Sequence, residues 1–106
     1  MDKYVSVITF SEARYLAECS ALSDIGCFRD SADIPLLDVK SYEGECCWFF
    51  FRNMEIIVPE NMSLRAHAYA VSKRGSVRGI AEFSGDIIQI KEYLKKMSDH
   101  FKQNGE

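Results

Sequence analysis

Glu45-Cys46-Cys47-Trp48-Phe49-Phe50-Phe51-Arg52 is the stretch that decides the fold, because a β-strand through it is apolar on both faces. Successive side chains of a strand point to opposite sides of the sheet. Two sets therefore face opposite ways, with Cys47, Phe49 and Phe51 on one side and Cys46, Trp48 and Phe50 on the other. A small domain buries one such face easily. The second face needs helices of its own or another protein, and the choice between them governs the functional interpretation.

The composition predicts a single folded domain over residues 1–106. Of these residues 47% are hydrophobic and 12% aromatic, and only six are glycine and two proline, so regular elements joined by short loops are expected. We expect the last few residues to be disordered. No apolar run approaches the roughly 18 residues that a membrane helix needs, and the start Met1-Asp2-Lys3-Tyr4 lacks the pattern of a signal peptide. A cytoplasmic protein without a membrane segment is therefore expected, and its four cysteines suit that compartment as free, buried thiols.

Charge is distributed unevenly along the chain. The net charge is only −3, but residues 24–60 carry eight acidic and three basic groups, a local net charge of −5. Residues 61–106 carry eight basic and five acidic groups, a net charge of +3. An acidic middle suits a basic partner, because complementary fields speed encounter and exclude wrong partners. An ordinary solvated surface is the alternative explanation.

Local signals predict two helices. Thr9-Phe10-Ser11-Glu12 matches a capping box that begins a helix from about Ser11 to Ser23, and Gly26 follows as a stop. Ser84-Gly85-Asp86 offers an N-cap for the second helix. Small or apolar residues share one face of each helix: Ala13, Leu16, Ala17 and Ser20 in the first, and Ile87, Ile90, Leu94, Met97 and Phe101 in the second.

The strand signals are strongest in a hairpin. Its arms, Arg65–Ser72 and Ser76–Phe83, flank Lys73-Arg74-Gly75, a loop with glycine where a left-handed residue is wanted. Further strands are predicted at 4–8, 36–39, 45–52 and 55–58, the first of which is also compatible with a continuation of the helix after it. The expected class is α+β: a mainly antiparallel sheet of about five strands, with an N-terminal helix and a long C-terminal helix packed on one face.

No catalytic motif is visible in the sequence, so binding is favoured over chemistry. It lacks metal ligands at workable spacing, a glycine-rich phosphate loop and a nucleophile elbow, and no cofactor is expected. A nucleophilic Cys46 or Cys47 beside His67 on a neighbouring strand is the enzymatic alternative, with core cysteines as the simpler interpretation. Direct nucleic-acid binding conflicts with the acidic total, because phosphate neutralisation supplies most of the affinity of such proteins.

A resemblance lies in the second half of the chain. The run Ala68-Tyr69-Ala70-Val71-Ser72-Lys73-Arg74-Gly75-Ser76-Val77-Arg78-Gly79-Ile80-Ala81-Glu82-Phe83 is followed by a helix with Glu92-Tyr93-Leu94 and Met97-Ser98-Asp99-His100-Phe101. This part resembles the small immunity proteins of bacterial polymorphic-toxin systems, particularly those of contact-dependent growth inhibition. The resemblance implies a cytoplasmic protein that binds one cognate toxin domain, often a nuclease, and blocks its active site or substrate groove.

The acidic middle of the chain agrees with that implication, because a nuclease is basic where it holds its anionic substrate. The predicted partner-binding residues are five carboxylates and two aromatic residues: Asp30, Asp33, Asp38, Glu43, Glu45, Trp48 and Tyr69. The expected partner is the toxin domain, without direct contact to nucleic acid or membrane, and the protein itself is a monomer or homodimer. The alternative is a small homodimeric protein that uses its extra aromatic face for self-association.

Overall fold

A four-stranded antiparallel sheet lies between two helices in the computed structural model, which describes residues 4–57, 68–80 and 86–106. The elements are α1 (Phe10–Ile25), a short 3-10 turn (Gly26–Phe28), β1 (Leu37–Glu43), β2 (Cys47–Arg52), β3 (Ala68–Ser72), β4 (Val77–Ile80) and α2 (Ile87–Asn104). The strands follow one another across the sheet in the order β1-β2-β3-β4. The aromatic strand β2 is therefore an inner strand, with Phe49 opposite Tyr42 of β1 and Phe50 opposite Tyr69 of β3.

The predicted α+β class is confirmed, but the predicted count of strands is not. The described part of the chain contains four strands. Residues 53–56 form a turn in which Ile56 N donates to Asn53 O at 3.0 Å, so residues 55–57 form no strand, and neither do residues 4–8. The hairpin is confirmed where it is described, since Gly75 closes its turn at a φ of 103°. Residues 58, 65–67 and 81–83 of the predicted strands lie outside the described residues.

The two helices cover opposite faces of the sheet, so the expectation that both pack on one face is wrong. Buried residues of α1 share one core with β2 and β3, namely Ala13, Ala17, Ala21, Ile25, Trp48, Phe50, Tyr69 and Val71. Buried residues of α2 share the other, namely Ile90, Leu94, Phe101, Cys47, Phe49, Ala68 and Ala70. The physical reason is that β2 is apolar on both faces. Each face stabilises the folded state only when it is removed from water, so each needs a helix to cover it.

Residue size matches each helix to its face. The alanines of α1 let its backbone lie close to the bulky rings of Trp48, Phe50 and Tyr69. On the other face, the small Ala68 and Ala70 leave room for the larger side chains of α2. Close packing of this kind fills space without voids, which is how protein interiors reach crystal-like density.

Local capping signals give the helix ends. The capping box is confirmed, because Glu12 N donates to Thr9 Oγ1 at 3.2 Å and Thr9 N donates to Glu12 Oε1 at 3.0 Å. Asp86 Oδ1 accepts from Ile88 N at 3.0 Å, as predicted for the N-cap of α2. The predicted buried faces need correction at single positions: Ala21 and Ile25 replace Leu16 and Ser20 as fully buried residues of α1, and Ile87 of α2 is exposed.

The end of the chain is held by contacts, although the composition predicted disorder there. Gly105 ends α2 in the left-handed conformation, with a φ of 68°. Glu106 N donates to Phe101 O at 2.9 Å, and the Glu106 carboxylate pairs with Arg78 at 2.8 Å. Tyr4 Oη donates to Glu106 O at 2.7 Å. The first described residues, the β3–β4 turn and the chain end therefore meet at one end of the sheet.

Candidate functional site

Trp48 and Tyr69, the two aromatic residues predicted to bind a partner, belong to the core. Trp48 is 6% exposed and Tyr69 is 1% exposed. The ring of Trp48 lies edge-on to Phe10 at 6.1 Å, and Tyr69 Oη donates to Asp24 Oδ2 at 2.9 Å. The expectation of a spare aromatic sheet face is therefore wrong, because α1 covers it.

The predicted carboxylates occupy two separate places. Asp30 and Asp33 are exposed in the loop after α1, and Asp38 is half-buried at the start of β1. Glu43 and Glu45 lie at the β1–β2 turn. Five residue steps of strand, roughly 15 Å, separate Asp38 from Glu43. The five carboxylates therefore do not form one patch.

Lysines face the two glutamates at the β1–β2 turn. Lys73 Nζ lies 2.5 Å from Glu43 Oε2, and Lys102 Nζ lies 3.8 Å from Glu45 Oε1. A shallow depression of about 300 Å³ beside this turn is lined by both glutamates and also by Lys91 and Lys95. The surface at this end has mixed charge, so it is a weaker match to a basic partner than the sequence implied.

A stripe of apolar side chains lies on the solvent side of α1, and we call Tyr15, Cys19 and Leu22 the α1 outer face. Tyr15 is 66% exposed, Leu22 is 55% exposed, and Cys19 is an exposed free thiol. Steps of four and three residues place them in one row along the helix. The buried alanines lie on the opposite side, so α1 carries apolar residues toward the solvent as well as small residues toward the core. Helix α2 also exposes Ile87 and Ile88, but these two lie in its first turn, and lysines occupy much of the rest of its outer surface.

A groove adjoins the α1 outer face. It has a volume of about 450 Å³ and is lined by Ile8, Ser11, Glu12, Tyr15 and Leu16. The segment before α1 forms one side, and hydrogen bonds from Val7 N and Ile8 N to Lys73 O, at 2.7 and 3.1 Å, fix that segment to the β3–β4 turn. Tyr15 belongs to both the groove and the stripe, so the two are continuous.

The α1 side of the protein is negatively charged. Residues 4–38 contain six acidic groups and two basic groups, a net charge of −4. One of the two basic groups, Arg14, is engaged, because its Nε lies 3.2 Å from Glu18 Oε1 and its guanidinium donates to Asp38 O at 3.2 Å. Helix α2 carries four lysines against Glu92 and Asp99, a net charge of +2. The exposed apolar stripe therefore belongs to the acidic part of the sequence, and Lys73 and Arg74 of the β3–β4 turn contact the segment that precedes α1.

No family model, curated protein or solved structure matches the chain. Within residues 4–57, 68–80 and 86–106, no helix is both long enough and apolar enough to cross a membrane. In the same part of the chain, no three His, Cys, Asp or Glu side chains are grouped to hold a metal ion. The surface chemistry of the protein is thus the basis for a functional assignment.

The buried cysteines are poor nucleophiles. Burial raises the pKa of the Cys47 thiol to about 11, and burial is also the main cause of the raised pKa of Cys46. Both side chains are fully buried, and Ser98 Oγ accepts from Cys46 N at 3.0 Å. Thiols that keep their proton at neutral pH react slowly. His67, the partner in the enzymatic alternative, lies outside the described residues.

Sequence reasoning missed the α1 outer face, although its signal was present. In α1, the residues that pack on the sheet are small or apolar, and the solvent side also carries the apolar Tyr15, Cys19 and Leu22. From the sequence alone, only the first set was given a role. The spacing of Tyr15, Cys19 and Leu22 marks a second stripe. This stripe is exposed because the buried alanines turn the opposite side of α1 toward the sheet.

Proposed function

We propose that the protein is an immunity-type inhibitor that binds a basic toxin domain, a nuclease, through the α1 outer face and covers its active site or substrate groove. The observation that supports this most is the apolar row of Tyr15, Cys19 and Leu22 on the solvent side of a helix whose surroundings are acidic. Large exposed apolar side chains within a polar surround are the usual composition of a protein-binding site. The sequence resemblance to immunity proteins supplies the class of partner.

Interface size indicates that α1 does not act alone. Its 16 residues span about 24 Å, and a face about 10 Å wide covers only roughly a third of the ~800 Å² that each partner of a stable complex buries. The segment 5–8 and the loop 29–34 lie on either side of the helix in sequence and supply the remainder. Val5 and Val7 are exposed in the first of these, and Asp30 and Asp33 in the second.

The charges around each carboxylate indicate which of them belong to the proposed interface. Asp30 and Asp33 are exposed in the loop after the 3-10 turn that follows α1, and we assign them to the rim of the proposed interface. Glu43 and Glu45 lie at the β1–β2 turn among lysines, and we place them outside it. A nuclease presents a basic groove to its anionic substrate, and rim carboxylates accelerate encounter with such a groove.

The test uses the toxin domain encoded by the reading frame that directly precedes this gene. Titration calorimetry is expected to show a 1:1 complex with a Kd of about 1 nM to 1 μM, and a plasmid-cleavage assay is expected to show loss of nuclease activity as the complex forms. Absence of both binding and inhibition would refute the proposal.

Matched variants locate the surface. Leu22→Lys places a cation against a basic partner and is expected to weaken binding about 30-fold, the effect of removing a ~2 kcal/mol hot spot. Ile88→Lys is the control, because Ile88 is also an exposed apolar residue of a helix, at 67% against 55% for Leu22, but lies on the opposite side of the sheet. Reversal of Asp30 and Asp33 to lysine is expected to slow association, whereas the same change at Glu43 and Glu45 leaves it nearly unchanged. Equal losses for Leu22→Lys and Ile88→Lys would contradict the assignment of the surface.

Homodimerisation is the second candidate. The aromatic seam that first suggested it is buried under α1, so a dimer formed through the proposed binding surface would pair two α1 outer faces. That arrangement brings together residues 4–38 of two copies, each with a net charge of −4, and like charges repel each other. Light scattering of the purified protein is expected to show a monomer. A dimer that Leu22→Lys dissociates would favour self-association instead.

A further inference from the structure

The groove beside Tyr15 is suited to one large side chain. Its volume of about 450 Å³ lies within the ~300–1,000 Å³ range of ligand pockets, so it has room for a bulky side chain together with neighbouring atoms of a partner. Ile8, Tyr15 and Leu16 give it apolar walls, and Ser11 and Glu12 add a hydroxyl and a carboxylate. An apolar pocket with a few polar groups at its edge is the usual form of an anchor site at an interface.

Both sides of the groove are fixed before anything binds. Arg74 Nε donates to Val5 O at 3.2 Å, which adds to the hydrogen bonds from Val7 and Ile8 to Lys73. The capping box holds the first turn of α1 on the other side. Ile8 and Leu16 also pack against the core beneath. A preformed groove of this kind binds a side chain without first ordering its own walls.

We propose that this groove receives an aromatic side chain of the partner protein, with a lysine or arginine of the partner beside it. This inference rests on the proposed function. The ring of Tyr15 favours an aromatic occupant, because a pair of rings in edge-to-face or offset geometry is stabilised beyond the area that it buries. Glu12 favours the neighbouring cation, because a carboxylate accepts up to about four hydrogen bonds and the capping box uses one oxygen for the Thr9 N–H.

Two features of the surface indicate a protein side chain as the occupant. The groove is continuous with the α1 outer face through Tyr15, so a partner seated on that face reaches into it. The net charge of −4 over residues 4–38 complements a basic protein and repels a second copy of this chain. The occupant is therefore an aromatic anchor within a basic surface.

The experiment blocks the groove with a larger side chain at Ser11, one of the residues that line it. Ser11→Phe adds a ring inside the groove without changing charge and is expected to weaken binding of the toxin domain about 30-fold, as loss of an interface anchor does. Gln89→Phe is the control, because Gln89 is an exposed, uncharged residue of α2, on the opposite side of the sheet, and does not line the groove. The control is expected to stay within about threefold of the unchanged protein. Urea unfolding of both variants verifies that the fold is retained.

A double-mutant cycle identifies the occupant. Each aromatic residue of the toxin domain is changed to leucine and measured against Tyr15→Leu, and one of them is expected to show a coupling of about fivefold or more. Tyr15→Phe is expected to preserve that coupling, since the ring is retained. Either full affinity for Ser11→Phe or the absence of any coupled aromatic residue would overturn the inference.

The outcomes separate the inference from the function on which it rests. If Leu22→Lys weakens binding and Ser11→Phe does not, the binding surface is correct and the anchor groove is wrong. If the toxin domain does not bind the unchanged protein, both proposals fail. If a coupled aromatic residue is found and the Ser11→Phe loss is observed, the groove is the anchor site.

Discussion

Adjacent residues Phe49 and Phe50 test whether both faces of β2 are buried within one chain. Both are 0% exposed, and they point to opposite sides of the sheet. The ring of Phe50 lies 5.6 Å from that of Phe10 of α1, and the ring of Phe49 lies 5.4 Å from that of Tyr93 of α2. Changing either to alanine is therefore expected to reduce the free energy of unfolding by a similar amount, about 3–5 kcal/mol.

The size of this loss sets the design of the measurement. A domain of 106 residues is stable by about 5–16 kcal/mol, so an alanine variant loses a large share of the total. Leucine variants keep most of the buried volume and are expected to lose about 1–2 kcal/mol each, chiefly through the aromatic pair and some buried area. Urea unfolding followed by the fluorescence of Trp48, the only tryptophan, measures both sets of variants, with midpoint shifts of about 1 M for leucine and about 2–3 M for alanine.

A control position on the surface calibrates the result. Val39 is 88% exposed on β1, and Val39→Ala is expected to change the free energy of unfolding by less than about 0.5 kcal/mol. If Phe49→Leu or Phe50→Leu behaves like Val39→Ala while the other is destabilised, one face of β2 is open. That result would refute the arrangement of one helix on each face.

Individual contacts lead to four further predictions. Gly44→Ala is expected to reduce the free energy of unfolding by about 1–3 kcal/mol in urea unfolding, because an added Cβ would lie 3.0 Å from Ser98 Oγ; an unchanged midpoint would show that α2 does not pack this closely against the β1–β2 turn. Iodoacetamide is expected to label Cys19 in the native protein at neutral pH and to leave Cys47 unlabelled, because burial raises the pKa of that thiol; rapid labelling of Cys47 would restore the nucleophile hypothesis. Between pH 9.0 and about 11, the folded protein keeps the Cys47 proton that the unfolded chain has released. The free energy of unfolding is therefore expected to fall as the pH rises through this range, and to fall less in Cys47→Ala. Thr9→Ala removes the N-cap of α1 and is expected to lower stability by about 1 kcal/mol, and no loss would mean that the cap does not hold the helix end.

The parts of the fold that the sequence predicts correctly depend on contacts between near neighbours. Thr9 and Glu12 form their capping box within one helical turn, and Asp86 caps α2 through amides two and three residues away. Gly75 supplies the left-handed position of the hairpin within its own turn. Such signals depend on the local backbone alone, so they can be read without knowing the rest of the structure.

The placement of the helices could not be predicted in the same way, because it depends on contacts far apart in sequence. The pattern of α1 shows an apolar row but does not say which face of the sheet receives it. Residue size gave part of the information. The small alanines of α1 fit against the large rings of one sheet face. On the other face, Ala68 and Ala70 fit against the large residues of α2. The prediction used those sheet alanines to bring both helices to one side.

The expectation of a single acidic patch was wrong because nearness in sequence was taken for nearness in space. Asp38 and Glu43 are only five residues apart, yet an extended strand carries them to opposite ends of the sheet. Trp48 and Tyr69 were expected at a surface because two apolar faces seemed too many for one small domain. One helix on each face buries both, and the surplus apolar surface lies instead on the α1 outer face.

Hydroxyl-radical footprinting of the free protein and of its complex with the toxin domain tests the central claim most directly, because it reports the exposure of individual side chains. In the free protein, Trp48 and Tyr69 are expected to resist oxidation, and Tyr15, Leu22 and Ile88 to react. In the complex, oxidation of Tyr15 and Leu22 is expected to fall while that of Ile88 stays unchanged. Protection of Ile88 with undiminished oxidation of Tyr15 and Leu22 would contradict the account.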